Sequence, residues 1–124
     1  GRFQKDKQGV AMTETHFNID EACAELKIGR EIYLRIMKRA LEQTRGDIEK
    51  LHAAHAANDI AVVQTVAHRL KGDYANLRIR ALSAEANTLN LLAKGEYKPQ
   101  KALELIHAIE TVFKELSLFI EGIS

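Results

Sequence analysis

The sequence predicts an all-α protein, an antiparallel up-down four-helix bundle with a short additional N-terminal helix. Three observations predict it. Proline occurs once, at Pro99, and glycine seven times in 124 residues, so helix breakers are scarce among many Ala, Leu, Glu, Lys and Arg. Apolar residues recur at three- and four-residue spacing rather than in alternation. The segments between periodic stretches are short, which makes successive helices antiparallel neighbours. With 46% hydrophobic residues, one domain of this length can build a core without staples.

Residues 1–16 show no periodicity and are expected to form a flexible linker or appended residues, leaving 17–124 as the domain. Asn18 and Glu21 fit a capping box, in which each side chain satisfies a backbone N–H at the helix start. A short helix then runs through Ala22, Leu26 and Ile28, with Gly29 as its expected end. A long helix begins near Arg30, with Ile32, Ile36, Ala40, Leu41, Ile48, Leu51 and His55 at helical spacing. Gly46 lies inside it and costs about 1 kcal/mol relative to Ala, too little to break a long helix. The pattern stops at Asn58-Asp59, a good cap for the next helix.

The third periodic segment runs from about Ile60 to Leu77. A fourth covers roughly Leu82 to Ala93, with Ser83, Ala84 and Glu85 near its start and Gly95 beyond its end. A fifth begins near Pro99, where a missing N–H does no harm. Its core stripe is Leu103, Ile106, Ile109, Val112, Phe113, Leu116 and Phe119. No strand, internal repeat or low-complexity tract is apparent.

The charge balance is even, with 18 basic and 17 acidic residues and a formal charge of +1. No overall field calls for nucleic acid or an anionic membrane. No apolar run approaches the roughly 20 residues of a membrane helix, and the polar start lacks the apolar stretch of a signal peptide. Cys23 is the only cysteine, so no internal disulfide is possible and a cysteine-based zinc site is disfavoured. A lone thiol among apolar neighbours suits a reducing compartment, and a cytoplasmic location is expected.

The segment 60–77 is the informative one. On a helical wheel Val62, Val63, Val66, Leu70, Tyr74 and Leu77 gather on one side, the expected core face. The opposite side carries Ala61, Gln64, Thr65, His68, Lys71, Gly72 and Ala75, small or polar, with His68 at the centre. Lys71 and Gly72 follow His68 by three and four residues and share its face. An unobstructed neutral imidazole nitrogen is a nucleophile, and Lys71 sets a cation beside any anion it acquires. Gly72 and Ala75 remove bulk, so another protein can approach. A mid-helix glycine is locally unfavourable by about 1 kcal/mol, which suggests that clearance is required there. The plain alternative is a surface histidine, with Gly72 permitting close helix packing.

These residues resemble a known family. Ala67-His68-Arg69-Leu70-Lys71-Gly72, then Ala75-Asn76-Leu77, then Leu82, Ala86 and Leu89 are similar to the signature of histidine-containing phosphotransfer (HPt) domains. Its core is His-x-Leu-Lys-Gly within a bundle helix, and the Asn58-Asp59 turn upstream also fits. The resemblance covers roughly residues 18–120, with about 20 specific matches. It implies that His68 is phosphorylated by a receiver-domain aspartate and can pass the group to another receiver. It implies that Lys71 stabilises the phosphate and that Gly72 clears space for the receiver. Gln64 is a candidate hydrogen-bonding partner of the imidazole or phosphate, and Ala75 a supporting small residue. No cofactor, metal or kinase activity of its own is implied; receiver domains of response regulators or hybrid histidine kinases supply the catalytic aspartate and Mg²⁺. A monomeric domain, either free-standing or part of a longer chain, is expected.

Two positions depart from the family pattern. Arg78-Ile79 stands where many members have Gly-Ala, and Asp73 where a small residue is common. The wheel points Asp73 away from His68. Rival readings are weaker on the residues. The dimerisation helices of histidine kinases usually place an acid directly after the histidine, where this chain has Arg69. A metal site would need converging ligands, whereas His16, His52, His55, His68 and His107 are scattered and Glu49-x-x-His52 has no partner motif. A non-catalytic adaptor bundle that binds receivers or other signalling proteins is the remaining alternative. Arg45-Gly46-Asp47 matches an integrin-binding tripeptide but falls inside a predicted helix. Tyr33, Tyr74 and Tyr97 carry no pattern.

Overall fold

The computed structural model describes residues 17–124; the expected linker over 1–16 lies outside them. Five helices follow in order: α1 Ile19–Leu26, α2 Arg30–Ala56, α3 Ile60–Asn76, α4 Arg80–Lys94 and α5 Pro99–Ile123. No strand occurs among the described residues. The α3 helix packs on α2 and α4, α5 also packs on α2 and α4, and α1 packs on α2. The long helices therefore form a ring in which α3 and α5 stand across from each other.

Local chemistry explains the starts. The Asn18 side chain accepts from the Glu21 N–H at 2.9 Å, capping α1, and Asp59 accepts from the Val62 N–H to cap α3. Pro99 opens α5 at the position where it was expected. The ends reveal a pattern that the sequence hides. Lys27, Asn58 and Arg78 all adopt left-handed backbone angles, with φ of 58°, 57° and 63°. At each, the residue's own N–H reaches back three residues and the next N–H reaches back five. This is the Schellman closure of a helix. Gly29, expected to end α1, instead has φ −76° and precedes the first turn of α2. Lys27 takes the left-handed position two residues earlier, and Ile28 lies in the connection.

A non-glycine residue in this conformation carries a steric cost of about 1–2 kcal/mol. Lys27→Gly is therefore expected to raise stability by about 0.5–1 kcal/mol, the relief being partly offset by greater freedom of the unfolded chain. Urea unfolding of the two chains checks this.

The core is continuous across all five helices. On α2 the buried stripe is Tyr33, Met37, Leu41, Thr44, Ile48 and Leu51. Ile32 and Ile36, expected to point inward, are 48% and 47% exposed. Leu41, Ile48 and Leu51 are buried as expected; only the start of the stripe is turned by one residue, because Tyr33 and Tyr74 occupy the interior with their hydroxyls satisfied. Tyr33 Oη donates to the Leu77 carbonyl at 2.5 Å, and Tyr74 Oη pairs with Thr44 Oγ1 at 2.6 Å. Burial pushes both phenols up, Tyr74 to about 12. On α3 Val62 is likewise outside the core, while Ala67 is fully buried. On α5 the expected stripe is present, with Leu103, Val112 and Phe119 only half-buried and Ala102, Leu105 and Ile120 added to it.

Candidate functional site

The site is built on the outward side of α3. Val63, Val66, Ala67, Leu70 and Tyr74 are buried, and this fixes the rotation of the helix. His68 is thereby turned to solvent. Among the described residues it makes no hydrogen bond or ion pair, so both ring nitrogens are available to an incoming group.

Gly72 lies one turn after His68 and is exposed. A Cβ built on it would meet nothing within 4 Å. The glycine therefore serves no contact inside the bundle, and close helix packing does not explain it. The space it leaves faces outward beside His68. Lys71 is half-buried, and its ammonium pairs with no acid among the described residues. Its backbone carbonyl accepts from Ser83 Oγ at 2.9 Å, which ties this turn of α3 to the first turns of α4.

Gln64, one turn before His68, makes no hydrogen bond to the imidazole. Its amide nitrogen donates to Asn90 Oδ1 at 2.9 Å. Asn90 is 1% exposed and belongs to α4. The sequence reading missed Asn90, although a signal was present: it falls four residues after Ala86, on the buried stripe of α4. A polar residue in that register needs a partner, and Gln64 is the partner it has.

Behind the site α3 is pinned to α2 by charge. Arg69 Nη2 donates to Asp47 Oδ1, and the Asp47 side chain is only 4% exposed. This accounts for the Arg45-Gly46-Asp47 tripeptide: its acid is buried, within a helix. Asp47 Oδ2 and Arg69 Nε find no further partner. Asp73 lies on the same side, lining a groove with Ile36, Arg39, Ala40, Gln43, Asn76 and Leu77. It thus faces α2 and not His68. Burial raises its carboxyl above the usual range, Arg69 opposes that rise, and Asp47 adds to it.

On the other side of α3, Lys71, Ala75, Arg78, Arg80, Ser83, Ala84 and Asn87 line an open groove of about 310 Å³. Arg78 occupies the left-handed position that glycine often fills in the family the sequence resembles. Its guanidinium donates to the Ala75 and Asn76 carbonyls at 3.2 and 3.1 Å and to Glu25 Oε1 at 2.6 Å. The arginine thus closes the end of α3 and links it to α1, interactions a glycine could not make.

The other described histidines lie elsewhere. His52 Nε2 pairs with Glu110 Oε1 at 3.0 Å, and its ring is 5.6 Å from that of His107. The hydrogen bond from His52 is the main cause that lowers the Glu110 carboxyl. His55 Nδ1 pairs with Tyr97 Oη at 2.8 Å. Among the described residues no three His, Cys, Asp or Glu side chains converge as metal ligands. None of the described helices is long and apolar enough to cross a membrane.

His68 is thus exposed and unpartnered among the described residues, with a cation three residues on and outward clearance four residues on, and its ring is open to a group brought from outside the bundle. A family model for the Hpt domain matches residues 35–118, a span that includes all of α3 and α4. No curated protein and no solved structure matches the chain. Hpt domains are helical phosphotransfer modules of two-component signalling that work with receiver domains and are not kinases. The match extends over well more than half of the chain, which therefore belongs to the Hpt domain family.

Proposed function

We propose that this protein is a phosphorelay intermediate whose phosphoryl carrier is His68. The observation that carries the proposal is the open space at Gly72 beside an exposed, unpartnered His68. In this reading the four long helices are an antiparallel up-down bundle that holds His68 rigidly, with residues 1–16 as a linker.

The chemistry balances simply. A lone pair on the neutral ring attacks the phosphorus of a receiver's aspartyl phosphate. Nε2 is the attacking atom, because it projects furthest from the helix. The P–O bond to the aspartate breaks, the carboxylate leaves with that electron pair, and a P–N bond forms. The other ring nitrogen gives up its proton afterwards. Transfer to a second receiver reverses these events. Lys71 neutralises charge on the phosphoryl oxygens, and Gly72 with Ala75 admits the receiver. The bundle itself supplies position and a nucleophile, the principal demands of phosphoryl transfer. Asn90 holds Gln64 beside the imidazole, where the Gln64 carbonyl can meet a ring N–H. The partners are receiver domains, and the location is cytoplasmic.

The test is transfer from receiver domains labelled with acetyl phosphate to the parent chain and to His68→Gln. The parent is expected to take the label, and the variant to take none while keeping its helical spectrum. Equal labelling of both chains would remove His68 from the role. A parent that binds receivers but stays unlabelled would make the domain an adaptor.

A further inference from the structure

The groove between α3 and α4 is more specialised than clearance for a partner requires. It begins at Lys71, about one helical turn from His68, and its lining includes Arg78 and Arg80 but no acidic residue. The whole chain carries a formal charge of only +1, so three cations in one groove are a local concentration. Arg78 is engaged with Glu25. Lys71 and Arg80 pair with no acid among the described residues. Ala75 and Ala84 are small and leave the groove open. The groove on the opposite side of α3 differs: it is lined by one cation, Arg39, and one acid, Asp73, so its formal charges cancel. The two grooves beside α3 are therefore unlike in charge.

We infer that the Lys71–Arg80 groove receives a carboxylate side chain on the surface of the receiver partner and so selects receivers by charge. The inference rests on the proposed phosphorelay reading for the class of partner. Its physical basis is independent: two cations without partners beside an open groove attract an anion, and complementary charge sets encounter rate and register. Arg80 touches neither His68 nor the transferred group in this scheme. It acts through docking.

The experiment titrates the full chain with a panel of receiver domains that differ in surface charge around their phosphoacceptor aspartate. Dissociation constants are read by calorimetry at low and high salt, and phosphoryl transfer is read in parallel. Arg80→Glu is expected to weaken binding of acid-rimmed receivers about tenfold at low salt and to flatten the salt dependence. Lys114→Glu, on α5 across the bundle, changes net charge equally and is expected to alter binding less than about twofold. Binding that depends on Arg80 but gives no label on His68 would support the groove and defeat the phosphorelay reading. Labelling of His68 with equal effects of the two charge reversals would overturn the groove and leave the relay standing. No binding by any receiver would overturn both.

Discussion

Gly72→Ala should make the protein more stable, by about 0.5–1 kcal/mol, and Gly72→Trp should cut receiver-dependent labelling of His68 about a hundredfold. The first effect follows from the helix. A mid-helix glycine forfeits that much relative to alanine, and the new methyl would meet nothing within 4 Å. No clash opposes the gain. The second follows from the same open space, which in the proposed function a receiver must enter. A clash costing about 3 kcal/mol at the docking surface corresponds to about a hundredfold in affinity. Thermal unfolding and transfer kinetics on the same preparations read both effects. A stability gain at position 72 together with a loss of transfer separates docking from folding. Loss of stability in Gly72→Ala would show that the glycine has a packing role after all.

The largest stability effect outside the apolar core is expected at Asp47. Asp47→Ala should cost about 2 kcal/mol. Breaking a fully buried ion pair costs about 3–5 kcal/mol, because the remaining charge has no partner. Here the Arg69 side chain is 37% exposed against 4% for Asp47, so the orphaned guanidinium can reach water and the loss is smaller. The pair itself contributes little net stability, since Asp47 Oδ2 and Arg69 Nε are already unsatisfied. The combined change Asp47→Leu with Arg69→Met should therefore stay within about 1 kcal/mol of the parent. Urea unfolding of the single and double variants measures the difference, and a double variant as weak as Asp47→Ala would contradict it. Arg69 adjoins His68, so the ion pair also fixes the turn that carries the proposed phosphoryl carrier.

The helices were legible because their signals are local. Asn18 before Glu21, Asp59 before an apolar run and Pro99 at a first turn mark starts whatever the rest of the chain does. The His68-x-Leu70-Lys71-Gly72 string placed the candidate site because those residues share one helix and one face. What the sequence concealed depends on partners distant in the chain. Ile32 and Ile36 have the same spacing as Tyr33 and Met37, and periodicity alone cannot choose between two stripes one residue apart. The choice is made by Leu77 and Tyr74, which pair with Tyr33 and Thr44. Gln64 faces the site by wheel geometry, yet Asn90, 26 residues later, takes its amide nitrogen. Likewise, glycine is the usual marker of a left-handed helix end, and here Lys27, Asn58 and Arg78 occupy those positions.

The central claim is that phosphoryl groups reside on His68. The most direct test is to label the chain from a phosphorylated receiver and map the phosphate by tandem mass spectrometry under alkaline conditions. The account predicts an acid-labile, base-stable phosphate on the peptide bearing His68 and none on those bearing His52, His55 or His107. An acid-stable phosphate, or one found on another histidine, would contradict it.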